Sequence, residues 1–571
     1  MQRLLSDVRR LPWVDLLLVI GLVGLLFAFI GLGREWTGVH RPSVAIDLSP
    51  AALPRYTMFS LFRGLLAYLL SLGFTLVYGY WAAKDRVAAR VLIPLLDILQ
   101  SIPVLGFMPG LILALVALFP RSNIGLELAA VIMIFTAQAW NMTFSFVHSL
   151  RSIPPDLREA ATVYRFNWWR RLRQVELPFA TIGLVWNSML SMAGGWFFLM
   201  INESFQLGPR DFRLPGIGSY MSVAVERGRG DAMVLAVLAM TTMIVVLDQV
   251  LWRPVVVWAQ KFRVEESSEQ LIMTSWFLDW FRASRLVRAL RRQLRWLRRV
   301  LAARRAPSTT RAAPSLAAAV ERDPRALSFT ALAILIGILV LGGVKLLHLL
   351  QQVPGDAWGS SVVAGFITLG RVLLSTLIGT LWALPAGLAI GLSSRLSRIF
   401  QPLVQIAASF PAPMLFPLVI AVLHWAGVSL GWGSILLMLL GTQWYILFNV
   451  IAGAMAIPAD LREAATSYRI RGWQRFRAVY FPGVFPYLVT GWVTAAGGAW
   501  NASIVAEFVT FKGQTLAAHG LGAEISSAAA AANFPELAAA ILVMSVLVVA
   551  FNRTVWRWCY RLAEERFALS K

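Results

Sequence analysis

Two charged segments carry the chemistry this sequence offers, and they are one segment written twice. Residues 153–178 read IPPDLREAATVYRFNWWRRLRQVELP, and residues 457–482 read IPADLREAATSYRIRGWQRFRAVYFP. Sixteen of the 26 positions agree at a constant offset of 304. In each copy a carboxylate, Glu159 or Glu463, follows an arginine, Arg158 or Arg462. Two alanines come next, Ala160 and Ala161 or Ala464 and Ala465. Exposed charge steers and selects a partner, and small side chains let its surface approach closely. The chemistry is therefore recognition rather than bond breaking. No nucleophile–base constellation accompanies it, and the five histidines (His40, His148, His348, His424 and His519) are scattered without a metal-ligand spacing. A G-x-x-x-x-G-K-[ST] phosphate loop is absent from the sequence. The reading is of a chain that is not itself an enzyme and holds neither metal nor cofactor.

The elements that position these charges are readable locally. Pro154 and Pro155 open a short helix over Leu157–Tyr164, with Asp156 placed to cap it and Glu159 suited to the positive end of the dipole. After a turn, Trp168–Val175 forms a second short helix, and Pro178 opens a long apolar run. The copy repeats the plan through Pro458, Asp460, Trp473 and Pro482.

The rest of the chain is a membrane solvent's sequence. It is 58% apolar and 14% charged, with a mean hydropathy of +0.67. Runs such as Leu16–Gly31 and Val362–Gly391 are long enough to span a bilayer. Twelve spans are expected: 12–33, 57–83, 92–119, 127–149, 178–202 and 232–257, then 327–350, 362–392, 403–425, 433–455, 482–508 and 536–558. The net charge of +23 does not call for nucleic acid. With the N-terminus inside, the basic loops 84–90, 151–173, 253–305, 395–398 and 462–477 all fall inside, as do Arg557, Arg561 and Arg566. Both termini are then cytoplasmic. The basic start MQRLLSDVRR leads into a first span with no clear cleavage site after it. One cysteine, Cys559, excludes an intrachain disulfide.

Outside the loops the halves also repeat. LFRGLL (61–66) answers LGRVLL (369–374), QSIPVLGFMP (100–109) answers ASFPAPMLFP (408–417), and Gly216–Gly218 answers Gly520–Gly522. Six spans per half keep both halves in one orientation, which is a parallel repeat. The domains are therefore 1–260, a basic linker 261–326, and 327–571. Within the linker, 275–305 sets Trp276, Trp280, Val287, Leu290, Leu294, Leu297 and Leu301 at helical spacing among arginines. This predicts an amphipathic helix lying on anionic lipid, followed by a flexible tether over 306–320.

Polar residues inside spans are expensive and so are pathway candidates. Glu203 and Glu507 occupy equivalent positions near the outer end of spans 5 and 11, with pairing inside the bundle the competing role. Gln138, Trp140 and Asn141 stand opposite Gln443, Trp444 and Tyr445, while Asn187, Trp196 and Asn202 stand opposite Trp500 and Asn501. Packing competes with a pathway role at each. Gly194–Gly195 and Gly497–Gly498 permit close helix approach. Prolines 103, 109, 411, 413 and 417 could bend the third span of each half at a gate or simply be tolerated kinks.

The E-A-A pattern followed by a turn and a proline resembles the EAA loop of binding-protein-dependent ABC importer permeases of the MetI-like type. The likeness covers about residues 57–258 and 362–558, and the segments RVLLSTLIGTLWALPAGLAIGLSSR and ASFPAPMLFP are most similar to the nitrate/sulfonate/taurine branch. The resemblance implies an all-α polytopic fold of two fused six-span repeats in a bacterial inner membrane. It also implies two cytoplasmic ATPase subunits, holding ATP and Mg, docked on Arg158–Ala161 and Arg462–Ala465. It implies as well an extracytoplasmic substrate-binding protein and a small anionic substrate. One departure stands out: the family's glycine four residues past the second alanine is Arg165 or Arg469 here, with Asn167 and Gly472 nearby as substitutes for the left-handed turn. A secondary transporter with parallel six-span halves is the alternative, and it gives no reason for two DLREAAT loops.

Overall fold

The computed structural model describes residues 2–38, 43–207, 210–262, 274–289, 292–293, 295–296, 324–511 and 514–567. Nearly all of them are helical. The first half comprises α1 (Gln2–Thr37), α2 (Leu53–Phe74), α3 (Arg86–Ser101), α4 (Met108–Leu118), α5 (Ile124–Arg151), α6 (Pro155–Val163), α7 (Leu177–Asn202), α8 (Ile217–Glu226) and α9 (Gly230–Leu247). After α10 (Trp276–Ala283) the second half repeats the series. It runs α11 (Pro324–Leu350), α12 (Gly355–Leu392), α13 (Ser394–Ser409), α14 (Phe416–Trp425), α15 (Leu430–Ala456), α16 (Ala459–Ser467), α17 (Phe481–Ala506), α18 (Leu521–Ala530) and α19 (Phe534–Phe551).

Among the described residues nine helices are long and apolar enough to cross a membrane, or up to 11 if two bent pairs each count as a span. α17, expected as the span 482–508, is not among the nine. It matches α7 in place but carries Thr490, Thr494 and Asn501 along its length. The bent pairs are a correction to the expected straight spans 92–119 and 403–425. α3 meets α4 at 86°, and α13 meets α14 at 81°. The cause is the residue before each proline: Ile102 and Phe410 are extended, at ψ 126° and 129°, ahead of Pro103 and Pro411. The side chain of Asp85 caps α3, accepting from the amides of Val87 and Ala88 at 2.8 and 3.2 Å. Ser393 caps α13 through the Leu396 amide at 3.4 Å.

Two small hairpins went unanticipated. β1 (Ser204–Leu207) pairs antiparallel with β2 (Arg210–Arg213), Phe205 opposite Phe212. β3 (Phe508–Phe511) pairs with β4 (Gln514–Ala517), Val509 opposite Leu516. Each follows the fifth span of its half and leads to a short helix, α8 or α18.

The linker also differs from expectation. Its described part is not one helix: Ser284 is extended at ψ 136°, and the helix resumes over 285–289. Ser284 Oγ donates to Asp15 Oδ1 at 2.6 Å, and Trp276 Nε1 donates to Gln249 Oε1 at 3.0 Å, so this part docks on the first half. Residues 297–323, with the tether at 306–320, lie outside the described residues.

One hydrophobic core runs through both halves, from Tyr56, Trp196 and Met240 to Met414, Trp500 and Met544. Polar contacts cross between the halves as well. Asn501 Oδ1 accepts from the Val104 amide at 2.8 Å, and Gln405 Nε2 donates to Asp248 Oδ1 at 3.3 Å. Ser328 on α11 accepts from Trp81 Nε1 at 2.8 Å and donates to Asp85 Oδ2 at 2.5 Å.

Candidate functional site: the paired loops and their buried supports

α6 and α16 are the first helices of the repeated loops. Each begins after a proline N-cap, Pro154 or Pro458, at φ −54° and ψ 142°. Asp156 makes no capping hydrogen bond; it lies in the first turn, where a carboxylate favours the helix dipole. The second helix begins at Trp168 as expected but does not end at Val175: from Trp168–Arg171 it runs through a π-helical turn over Leu172–Glu176 straight into α7. The second loop helix and the span are thus one continuous helix, Trp168–Asn202, joined to α6 by the turn at 164–167.

The turn between the loop helices is closed in the same way in both copies. Phe166 N donates to Ala161 O and Arg165 N to Thr162 O, both at 2.9 Å. In the copy, Ile470 N donates to Ala465 O at 2.8 Å and Arg469 N to Thr466 O at 3.0 Å. This double bond set requires a left-handed residue after the C-cap. Arg165 and Arg469 take that conformation themselves, at φ 51° and 54°. Asn167 does not substitute for them. It instead accepts from Arg170 N at 2.9 Å as the N-cap of the next helix.

Ala161 and Ala465 turn inward and are buried, whereas Glu159, Ala160, Glu463 and Ala464 face outward. Arg158 Nη2 donates to Arg151 O at 2.7 Å, fastening the loop to the carbonyl end of α5. Arg462 instead lines a cavity of about 290 Å³ with Glu463, Arg475 and Tyr480. Sequence reasoning overlooked the apolar part of this surface. Val163, Tyr164, Trp168 and Trp169 are exposed on the first loop, and Tyr468 and Trp473 on the second. Tyr164 and Tyr468 recur at the 304 offset, which was the available signal. Exposed aromatic side chains beside charge are the composition of binding hot spots. Under the first loop, buried Glu176 is paired with Lys84 and with Arg171, the latter at 3.1 Å.

At the opposite end of the long helices, Glu203 and Glu507 sit in matching locks. Glu203 accepts from Ser60 Oγ at 2.6 Å, Arg63 Nη1 at 2.7 Å and the Gly218 amide at 2.7 Å. Glu507 accepts from Thr368 Oγ1 at 3.0 Å, Arg371 Nη1 at 2.7 Å and the Gly522 amide at 2.8 Å. The glycines are dictated by this approach: a Cβ on Gly216 would lie 2.2 Å from Glu203 Oε2, and one on Gly520 would lie 2.4 Å from Glu507 Oε2. Both carboxylates are closed off by their partners.

The remaining pathway candidates separate by position. Gln138 is buried, with Nε2 3.4 Å from Met192 Sδ, and a Cβ on Gly195 would meet it at 2.4 Å. Trp196 and Trp500 are buried, and Trp196 packs on Gly64. Trp140 packs edge-on to Phe74 and Phe135, with a buried Nε1 that finds no acceptor among the described residues. Trp444 Nε1 donates to Leu440 O at 3.1 Å. Asn141 and Gln443 are half-buried. Asn501 lies at the contact between halves, as does Gly194, whose Cβ would stand 3.7 Å from Tyr445 Oη. Of the small pairs, Gly195 and Gly498 meet neighbours closely, while Gly497 faces open space.

Residues 75–251 and 375–567 each match the family described as binding-protein-dependent transport system inner membrane component. The chain belongs to that family. Both matches include one EAA loop, so this member carries the family's domain twice. It is similar to an ABC transporter permease protein of Methanocaldococcus jannaschii, 25% identical over 36% of this chain and 74% of that protein. It is also similar to the taurine transport system permease TauC of Escherichia coli, 26% identical over 32% of this chain and 62% of that protein. The nitrate import permease NrtB of Leptolyngbya laminosa is 25% identical over 25% of this chain and 50% of its own length. These matches each cover between 25% and 36% of this chain.

Proposed function

We propose that this chain is the complete membrane-spanning part of an ATP-driven importer, with both permease halves supplied by one polypeptide. Two separate ATPase subunits, which bind ATP and Mg, dock on α6 and α16 through Glu159, Ala160, Glu463, Ala464 and the exposed aromatic residues beside them. An extracytoplasmic binding protein delivers substrate to the opposite face. The observation that carries this reading is the pair of loops, each closed by the same left-handed arginine turn and each continuous with a span. Closure of the ATPases draws the loops together, and α7 and α17 transmit that displacement to the contact between halves, where Asn501, Gly194 and Tyr445 lie. The relatives named for taurine and nitrate support a small substrate that carries an oxyanion group, a free anion such as nitrate or a sulfonate. The chain sits in a bacterial inner membrane with both termini cytoplasmic, and the described part of the basic linker, residues 275–289, lies at the lipid surface.

The test is co-purification of the detergent-solubilised chain with the ATPase encoded beside it. Wild type retains the ATPase; Glu159→Arg combined with Glu463→Arg loses it. Both glutamates are exposed, so the double variant keeps its fold. If neither form binds an ATPase, the importer reading falls and a secondary transporter takes its place.

A further inference from the structure

The two locks around Glu203 and Glu507 differ in one respect that the repeat does not predict. In the first half Arg63 is held by two carboxylates. Glu203 takes Nη1, and Glu127 takes the other edge of the guanidinium, at 2.5 Å from Nε and 2.8 Å from Nη2. All three side chains are sealed from solvent. In the second half Arg371 has Glu507 on Nη1 and no other partner among the described residues.

The residue in Glu127's place is Gly431. The helices that carry them keep the 304 register: Gly79 packs on Phe146, and Gly387, displaced by 308 as Arg371 is from Arg63, packs on Val450, displaced by 304. A Cβ on Gly431 would stand 3.4 Å from Arg371 Nη2 and 3.8 Å from Ser429 Oγ, so guanidinium and hydroxyl converge on one point. Ser429 is the N-cap of α15 and makes no side-chain capping bond. A cavity of about 310 Å³ opens there, lined by Ile367, Arg371, Ser429, Gly431 and Trp432. A guanidinium edge presents two parallel N–H donors, the geometry that matches a planar or tetrahedral oxyanion. A half-paired cation in a membrane span is costly, and an anion supplied from outside the chain offsets that cost.

We propose that Arg371 and Ser429 form an oxyanion-binding site in which a ligand's charged group occupies the position that the Glu127 carboxylate fills in the first half. The ligand is either a small free oxyanion or the phosphate of a lipid headgroup at the rim of the second half. This inference does not rest on the importer reading, because it concerns binding by the chain alone.

The experiment compares melting of wild type, Gly431→Glu and Gly431→Ala. One arm is delipidated detergent with sodium sulfate against sodium chloride at equal ionic strength. The other is nanodiscs of phosphatidylglycerol against phosphatidylcholine. Gly431→Glu restores the missing carboxylate, so it melts higher than wild type and no longer responds to the added anion. Its apparent sulfate or lipid affinity falls at least about tenfold, since a hydrogen bond to a charged group is worth a decade or more. Gly431→Ala separates this from a gain in helix propensity and still responds. Gly431→Asp serves if the glutamate variant does not fold. A shift confined to sulfate identifies a free anion, and one confined to phosphatidylglycerol identifies a lipid. The proposal is overturned if neither arm shifts wild type, or if Gly431→Glu responds as wild type does.

Discussion

Replacing each lock arginine by methionine should harm the two halves unequally. Methionine approximates the length of arginine and removes only the charge and the donors. In the first half, Arg63→Met strands two buried carboxylates, and Glu127 loses both of its side-chain hydrogen bonds. Glu203 keeps Ser60 Oγ and the Gly218 amide. In the second half, Arg371→Met strands one carboxylate, which keeps Thr368 Oγ1 and the Gly522 amide. Breaking a buried pair by removing one partner costs about 3–5 kcal/mol, and both variants suffer that once. The first-half variant loses two further charge-assisted bonds, each about 1.5–3 kcal/mol, so the gap between variants is at least about 3 kcal/mol. For a unit of this size one kcal/mol moves a melting point by about 2–4 °C, so Arg63→Met should melt on the order of 10 °C below Arg371→Met. The assay is the fraction of monodisperse protein left after heating in detergent, read by size exclusion. Adding Glu127→Gln to Arg63→Met should recover part of the loss. Equal losses, or the reverse order, would refute the assignment of three mutually satisfied buried charges to the first lock.

Two further outcomes follow from the same geometry. Gly216→Ala places a methyl where Glu203 Oε2 stands, and should cost more than about 2 kcal/mol, typical of forced overpacking, whereas Gly497→Ala should be near neutral in the same melting assay. Arg165→Gly with Arg469→Gly releases left-handed strain of about 1–2 kcal/mol per residue, against about 0.5–1 kcal/mol of added unfolded-state freedom, so the melting point should hold or rise. Bound ATPase should fall in that variant, because the exposed guanidinium groups are lost from the docking face. A clear drop in melting would contradict the view that these arginines are strained in the free chain.

The sequence by itself determined a great deal. Hydropathy and charge set a polytopic helical chain, because a bilayer demands long apolar helices and a basic inner face. The 304 offset set the doubling, and the DLREAAT repeat set the two short loop helices, because a helix opened by a proline, Pro154 or Pro458, is a local structure fixed by its neighbours. The tertiary structure decided whatever depended on residues far apart. Glu203 and Glu507 stood out as isolated acids in apolar spans; only packing brought Arg63 and Arg371 against them, about 140 residues away in sequence. The prolines near 103 and 411 allowed a bend or a tolerated kink, and the structure shows the bend, at 86° and 81°. The linker's helical spacing ran on through Ser284, where the helix instead breaks and Ser284 Oγ donates to Asp15 on the first helix and accepts from the Val287 amide. Gly431 read as an ordinary helix residue until the fold set it beside an arginine whose counterpart has a second carboxylate. Periodicity records which face a residue turns inward, and it carries no record of what waits on the other side.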